Sequence, residues 1–289
     1  MSLIDIIILA VIQGLAELLP VSSSAHVVVA EKLMGLDPSS PPMTLLLVML
    51  HTGTMFAVIF YFWKQWRKTY FESGEKFKRA AVLLLLATIL TGLVGEGIIK
   101  VVEKTAFRGV PHAEIENLFG RLDLIAPALA AAGILILVAG LATKPGSTAG
   151  DTEAADISAG QASLIGAVQG LCLPFRGFSR SGATISTGML AGVSKASAEA
   201  FSFALAVILT PPVIAREGLR LLHAEHSGGG AGLASAVIPS LLGAVFSFAA
   251  GLLALKWLSQ WLERGRWYLF GIYCLAAAGV VFALYRAGY

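Results

Sequence analysis

Charge is scarce in this chain. Only 13% of its residues are Asp, Glu, Lys or Arg, against about 25% in a typical soluble domain. Too little polar surface is available to cover a water-soluble globule. With 56% hydrophobic residues and a mean hydropathy of +0.78, the composition is that of a polytopic helical membrane protein. Cysteine is nearly missing: Cys172 and Cys274 both lie in apolar runs, which reads as packing rather than a disulfide or a metal pair. A net charge of +3, with the basic residues in short flanks, gives no reason to expect a nucleic-acid partner. The start of the chain has no basic region, Asp5 being the one charge before Glu17. No cleavable leader is therefore expected, and the first apolar stretch should remain in the mature protein. Two catalytic signatures are absent too. No Gly-Lys-Ser/Thr marks a Walker A loop, and Gly177-Phe178-Ser179-Arg180-Ser181 lacks the closing glycine of a serine-hydrolase elbow.

A membrane-spanning helix needs about 20 mostly apolar residues. Six stretches approach that: Thr44–Trp63, Ala80–Val102, Leu122–Ala142, Glu199–Leu222, Leu233–Lys256 and Trp267–Tyr285. Two others are interrupted. Ser2–Leu36 is broken by Pro20 and a serine run, and Gly160–Val193 by Pro174, Gly177 and Ser179-Arg180-Ser181. Each half is too short to cross, so each stretch reads as a re-entrant helical hairpin with its polar tip at membrane depth, tolerable where protein or a water-filled cavity surrounds it. Gln13-Gly14-Leu15 recurs as Gln169-Gly170-Leu171, and at the same offset Ser23 meets Ser179. Three spans follow each hairpin, an odd number, so the two copies must face opposite ways. The expected fold is an all-α polytopic membrane protein: six transmembrane helices plus two re-entrant hairpins in an inverted-topology repeat. It forms one membrane domain over 1–289, with a first repeat at 1–142, a linker at 143–159 and a second repeat at 160–289.

Loop charges set the expected orientation. Lys64, Arg67, Lys68, Lys76, Lys78 and Arg79 follow the first span, and Lys256, Arg264 and Arg266 precede the last. Both clusters should be cytoplasmic, leaving the termini outside. Trp63, Trp66, Trp257, Trp261 and Trp267 stand where interfacial aromatics are expected.

Charged groups at mid-bilayer cost roughly 2.5–3.5 kcal/mol on insertion scales, so polar clusters there mark a site. Gln13 and Glu17, four residues apart, share a helix face, where an amide oxygen and a carboxylate can ligate a hard cation such as Mg²⁺. Ser22, Ser23 and Ser24 follow Pro20 and can cap the next half-helix, whose N-terminus favours anions. His26 comes next and suits an acid, base or nucleophile. Downstream, Ser179, Ser181 and Thr184 supply hydroxyls, and Arg180 offers a planar fork of donors for phosphate.

Gln-x-x-x-Glu, Pro-Val-Ser-Ser-Ser-Ala-His and Gly-Phe-Ser-Arg-Ser-Gly-Ala-Thr, in this order and over nearly the whole chain, closely resemble the integral-membrane undecaprenyl-diphosphate phosphatases associated with bacitracin resistance. Glu199-Ala200-Phe201-Ser202-Phe203 looks like a further segment of that family. The resemblance implies removal of the terminal phosphate of undecaprenyl diphosphate, which recycles the lipid carrier of bacterial cell-wall synthesis. It implies a divalent cation, Mg²⁺ or else Ca²⁺, and places the enzyme in the cytoplasmic (inner) membrane with its site open to the periplasm. Carried over, Glu17, Ser23, His26 and Arg180 are the catalytic set. Glu17 and Gln13 are the metal ligands, and Ser22, Ser24, Ser179, Arg180, Ser181 and Thr184 contact substrate. Ser23 would attack with His26 as base, or His26 would attack directly. The partners are the diphosphate lipid and the membrane, and a homodimer is compatible with them. One departure is visible: the family's Pro-Gly-x-Ser-Arg-Ser is here Pro174-Phe175-Arg176-Gly177-Phe178-Ser179-Arg180-Ser181, with residues inserted between Pro and Gly. Taken alone, the repeat architecture favours an inverted-repeat transporter or flippase for an anionic lipid or small anion. The Ser-x-x-His pair beside a carboxylate favours hydrolysis, since a carrier needs no nucleophile.

Overall fold

The computed structural model describes residues 2–37, 40–106, 118–143, 157–226, 233–262 and 266–289. Within them the regular structure is helical, without a strand. The helices are α1 (Leu3–Leu18), α2 (Ser23–Leu33), α3 (Pro41–Tyr70), α4 (Gly74–Ala106), α5 (Leu122–Ala142), α6 (Ala159–Cys172), α7 (Arg180–Leu190), α8 (Lys195–His226), α9 (Leu233–Leu262) and α10 (Tyr268–Arg286). Among the described residues five are long and apolar enough to cross a membrane, and they lie in α3, α4, α5, α9 and α10. The sixth expected span falls within α8, a helix of 32 residues. Residues 144–156 of the expected linker lie outside the described residues.

Both interrupted stretches fold as pairs of short helices, and local chemistry explains each break. Leu19 is held extended at ψ 147°, the conformation a following proline imposes on its neighbour. Ser22 then turns the chain in the left-handed region at φ 67° before α2 begins. In the second pair, Gly177 makes the turn at φ 101°. A Cβ there would stand 2.6 Å from the Ile125 carbonyl oxygen, so only glycine fits. Ser179 caps α7, its hydroxyl accepting from the Gly182 amide at 3.2 Å.

The recurring Gln-Gly-Leu does the same job twice. A Cβ on Gly14 of α1 would meet the Ser247 carbonyl and the Gly251 amide of α9, each at 2.9 Å. On Gly170 of α6 it would meet the Thr91 carbonyl at 2.8 Å and the Gly95 amide at 3.0 Å on α4. Gly14 and Gly170, Thr91 and Ser247, and Gly95 and Gly251 are each separated by the same number of residues. Capping is repeated at that offset too, with Ser2 bonding the Asp5 amide and Ser158 that of Gln161. Elsewhere α3 packs on α9 and α8, and α5 on α10 and α7. The two breaks touch: the Ser181 hydroxyl donates to the Leu19 carbonyl at 3.4 Å, and a Cβ on Gly182 would lie 3.1 Å from the Pro20 oxygen.

Two of the five tryptophans pack inside the protein: Trp66 and Trp267 are buried at 6% and 2% exposure. Trp66 stacks on Phe62, and the Trp267 indole donates to Ser186 at 3.0 Å. Trp63 is exposed, while the side chains of Trp257 and Trp261 lie outside the described residues. Both cysteines are free thiols.

Candidate active site

Where the two breaks meet, a cavity of about 280 Å³ opens between them and the faces of α3 and α8. Its polar lining includes Glu17, Ser22, Ser23 and Ser24 from the first pair, His51 from α3, and Arg176, Ser179, Arg180 and Ser181 from the second. Val48, Met55 and Val58 of α3 and Phe203, Val207 and Ile214 of α8 make the rest of the wall apolar.

Glu17, in the last turn of α1, is the hub. Its Oε1 accepts from Arg180 Nη2, which joins segments 163 positions apart. Its Oε2 accepts from the Ser23 hydroxyl and from Gln13 Nε2 at 3.0 Å. His51 Nδ1 stands 3.2 Å from the same oxygen and 2.8 Å from Gln13 Nε2. Two polar atoms of this cluster, one donor and one acceptor, keep an unmet side. Arg180 Nη1 and Gln13 Oε1 are both buried without a hydrogen-bond partner, a costly condition in a native fold unless a ligand completes them. The cluster therefore presents a hydroxyl against a carboxylate, with a guanidinium held beside both.

Some expected residues sit elsewhere. Gln13 is fully buried behind Glu17 rather than on the cavity wall. Thr184 is also fully buried. Its hydroxyl donates to the Arg180 carbonyl at 2.8 Å and pairs with Ser202 at 2.6 Å, so it fastens the first turn of α7 to α8. His26 faces away. Its Nδ1 bonds the Ser22 carbonyl and its Nε2 the Tyr273 hydroxyl, both at 2.8 Å, and the ring stacks on Tyr273. A carbonyl only accepts, so Nδ1 is the donor in the bond to Ser22. This imidazole lines a separate groove of about 490 Å³ between α1 and α10.

Sequence reasoning passed over His51, a lone imidazole inside an apolar span. The cost argument that flagged Glu17 applied to it equally. It also passed over Gln169, which lines the cavity and donates to Thr91 at 3.2 Å.

Among protein families, the one described as Bacitracin resistance protein BacA matches residues 6–281. The chain belongs to that family. A curated relative, Undecaprenyl-diphosphatase 2 of Acinetobacter baylyi, is 61% identical over 287 residues, 98% of either chain. The undecaprenyl-diphosphatase of Syntrophotalea carbinolica is 34% identical over 291 residues, covering 98% of this chain and 99% of its own. That of Desulfosudis oleivorans is 33% identical over 286 residues, 95% of each. The BacA family thus spans both broken helix pairs and every residue of the cluster around Glu17.

Proposed function

We infer that this protein is an undecaprenyl-diphosphate phosphatase. It hydrolyses undecaprenyl diphosphate to undecaprenyl phosphate and phosphate, returning the lipid carrier to bacterial cell-wall synthesis. The observation that carries its mechanism is the Ser23–Glu17–Arg180 chain, in which a hydroxyl leans on a carboxylate and Arg180 Nη1 is a buried donor awaiting an acceptor.

In the proposed reaction the terminal phosphate sits against Arg180, whose remaining donors bond its equatorial oxygens as charge spreads over them. Ser23 Oγ attacks the phosphorus, and its proton passes to Glu17, which already accepts that hydrogen bond. The bond from phosphorus to the bridging oxygen breaks, and undecaprenyl phosphate leaves. The proton on Glu17 passes to the departing lipid phosphate. Water then attacks the phosphoserine and gives a proton to Glu17. As the P–Oγ bond breaks, Glu17 returns that proton to Ser23 and phosphate is released. His26, with both ring nitrogens engaged on the far side, holds the left-handed Ser22 turn that presents Ser23. Ser22, Ser24, Ser179 and Ser181 complete the polar wall around the headgroup.

The residues present fit a divalent cation, Mg²⁺ or Ca²⁺. Glu17 supplies a carboxylate, the unpartnered Oε1 of Gln13 a neutral oxygen, and the diphosphate itself the further oxygens such ions take. When bound, the ion would offset phosphate charge.

The short helix pairs support re-entrant hairpins, and the repeated Gly14 and Gly170 seats support an inverted repeat with six spans. The basic flanks between α3 and α4 support a cytoplasmic-membrane protein whose polar chamber opens to the periplasm. Purified protein incubated with undecaprenyl diphosphate and Mg²⁺ should release phosphate. A preparation that binds the lipid and releases none would overturn the reading.

A further inference from the structure

The segment inserted ahead of the Ser-Arg-Ser core carries a second guanidinium into the chamber. Phe175 to Phe178 form a tight turn, closed by the Phe178 amide on the Phe175 carbonyl at 3.1 Å. Gly177 occupies its third position at φ 101°, where positive φ is required. The second position, the one such a turn displays, is Arg176. Its side chain is half-buried, lines the same cavity as Glu17, Ser23 and Arg180, and places Cζ 4.3 Å from the centroid of the Phe119 ring. Stacking of that kind fixes the plane of a guanidinium while leaving its edge donors directed outward.

Charge balance gives the arginine a task. Among the described residues the chamber is lined by Glu17, Arg176, Arg180 and the titratable His51, and Glu17 already matches Arg180. A lipid diphosphate brings one charge on its lipid-linked phosphate and roughly −1.5 to −2 on the terminal one. One paired arginine cannot answer both phosphates. Glu31 of α2, itself buried, is a carboxylate within electrostatic reach of Arg176. A guanidinium has five donors in a fork, enough to serve protein partners and a phosphate together.

Resting on the phosphatase reading above, we propose that Arg176 holds the lipid-linked phosphate of the diphosphate while Arg180 holds the terminal one. The assignment follows from Ser23, which leans on the same carboxylate as Arg180, so the attacked phosphorus lies there and its neighbour falls to Arg176. The lipid-linked phosphate is also the leaving group. It gains negative charge as the bridging bond breaks, so Arg176 contributes to release as well as to binding. A ligand with one phosphate needs only the Arg180 subsite; a diphosphate needs both.

Equilibrium binding to the purified full chain separates the two subsites, using a methylene-bridged undecaprenyl diphosphate analogue and inorganic phosphate as probes. Arg176→Gln should weaken the analogue by about tenfold or more and leave inorganic phosphate within about twofold. Arg180→Gln should weaken both. Arg176→Lys, which keeps stem and charge, should show the same selectivity at smaller amplitude and serves if the glutamine variant folds poorly. Unchanged affinity for the analogue, or a parallel loss for both probes, would overturn the assignment. Phosphate release by the unmodified protein judges the phosphatase reading separately.

Discussion

The Glu17 carboxylate has two oxygens and four polar neighbours: Arg180, Ser23, Gln13 and His51. Such crowding sets the consequences of substitution. Arg180→Lys keeps a charge near Glu17 but loses the planar fork that serves carboxylate and phosphate together. Turnover should fall about tenfold or more, since about 1.4 kcal/mol of lost transition-state stabilisation is enough; a variant with unaltered kcat would remove Arg180 from the reaction. His26 gives a contrasting expectation. Both its ring nitrogens are engaged outside the chamber, so His26→Gln should lower kcat while leaving the shape of the pH–rate profile unchanged. Loss of one limb of that profile would restore His26 as the base. Glu17, Ser23 and Arg180 were legible in the sequence because polar groups in apolar surroundings are costly. The side on which His26 lies was not, because proximity along the chain does not say which neighbour captures the ring, and Tyr273 is 247 positions away. His51 escaped for the opposite reason, standing alone with no motif around it.

At the level of helices, the decisive feature is close seating. α1 lies on α9 through Gly14 and α6 lies on α4 through Gly170, with backbone atoms inside 3.0 Å of where a Cβ would stand. Gly14→Leu and Gly170→Leu should therefore each destabilise by about 1–3 kcal/mol through overpacking, and by similar amounts, because the contacts are alike. Thermal unfolding in detergent checks this. An unchanged transition in either variant would show that the pair is not seated as described. The breaks after α1 and α6 could be read from Pro20, the serine run, Pro174 and Gly177. Helix ends were less legible: α3 runs on to Tyr70 and α4 starts at Gly74, since terminal turns continue into polar sequence where hydropathy gives no signal. The burial of Trp66 and Trp267 was invisible as well, because an interfacial and a core indole have the same flanks.

For the whole molecule, orientation and the site are linked. The proposed orientation puts the basic junction between α3 and α4 in the cytoplasm, and on that proposal a cysteine placed at residue 74 should resist an impermeant thiol reagent in intact cells. Labelling there from outside would reverse the topology and turn the chamber toward the cytoplasm. Element order could be read from sequence because the six apolar stretches and two interruptions are composition-level signals. The meeting of the two breaks rested on a repeat of few identities, and became visible through contacts such as Ser181 with Leu19. That junction is what assembles Ser23, Glu17 and Arg180 from both halves. The most direct test is a paired measurement on Ser23→Ala: phosphate release from undecaprenyl diphosphate, and affinity for its methylene-bridged analogue. A nucleophile contributes chiefly to the transition state, so turnover should vanish while affinity stays within about twofold. Near-normal turnover by Ser23→Ala would contradict the mechanism at its centre.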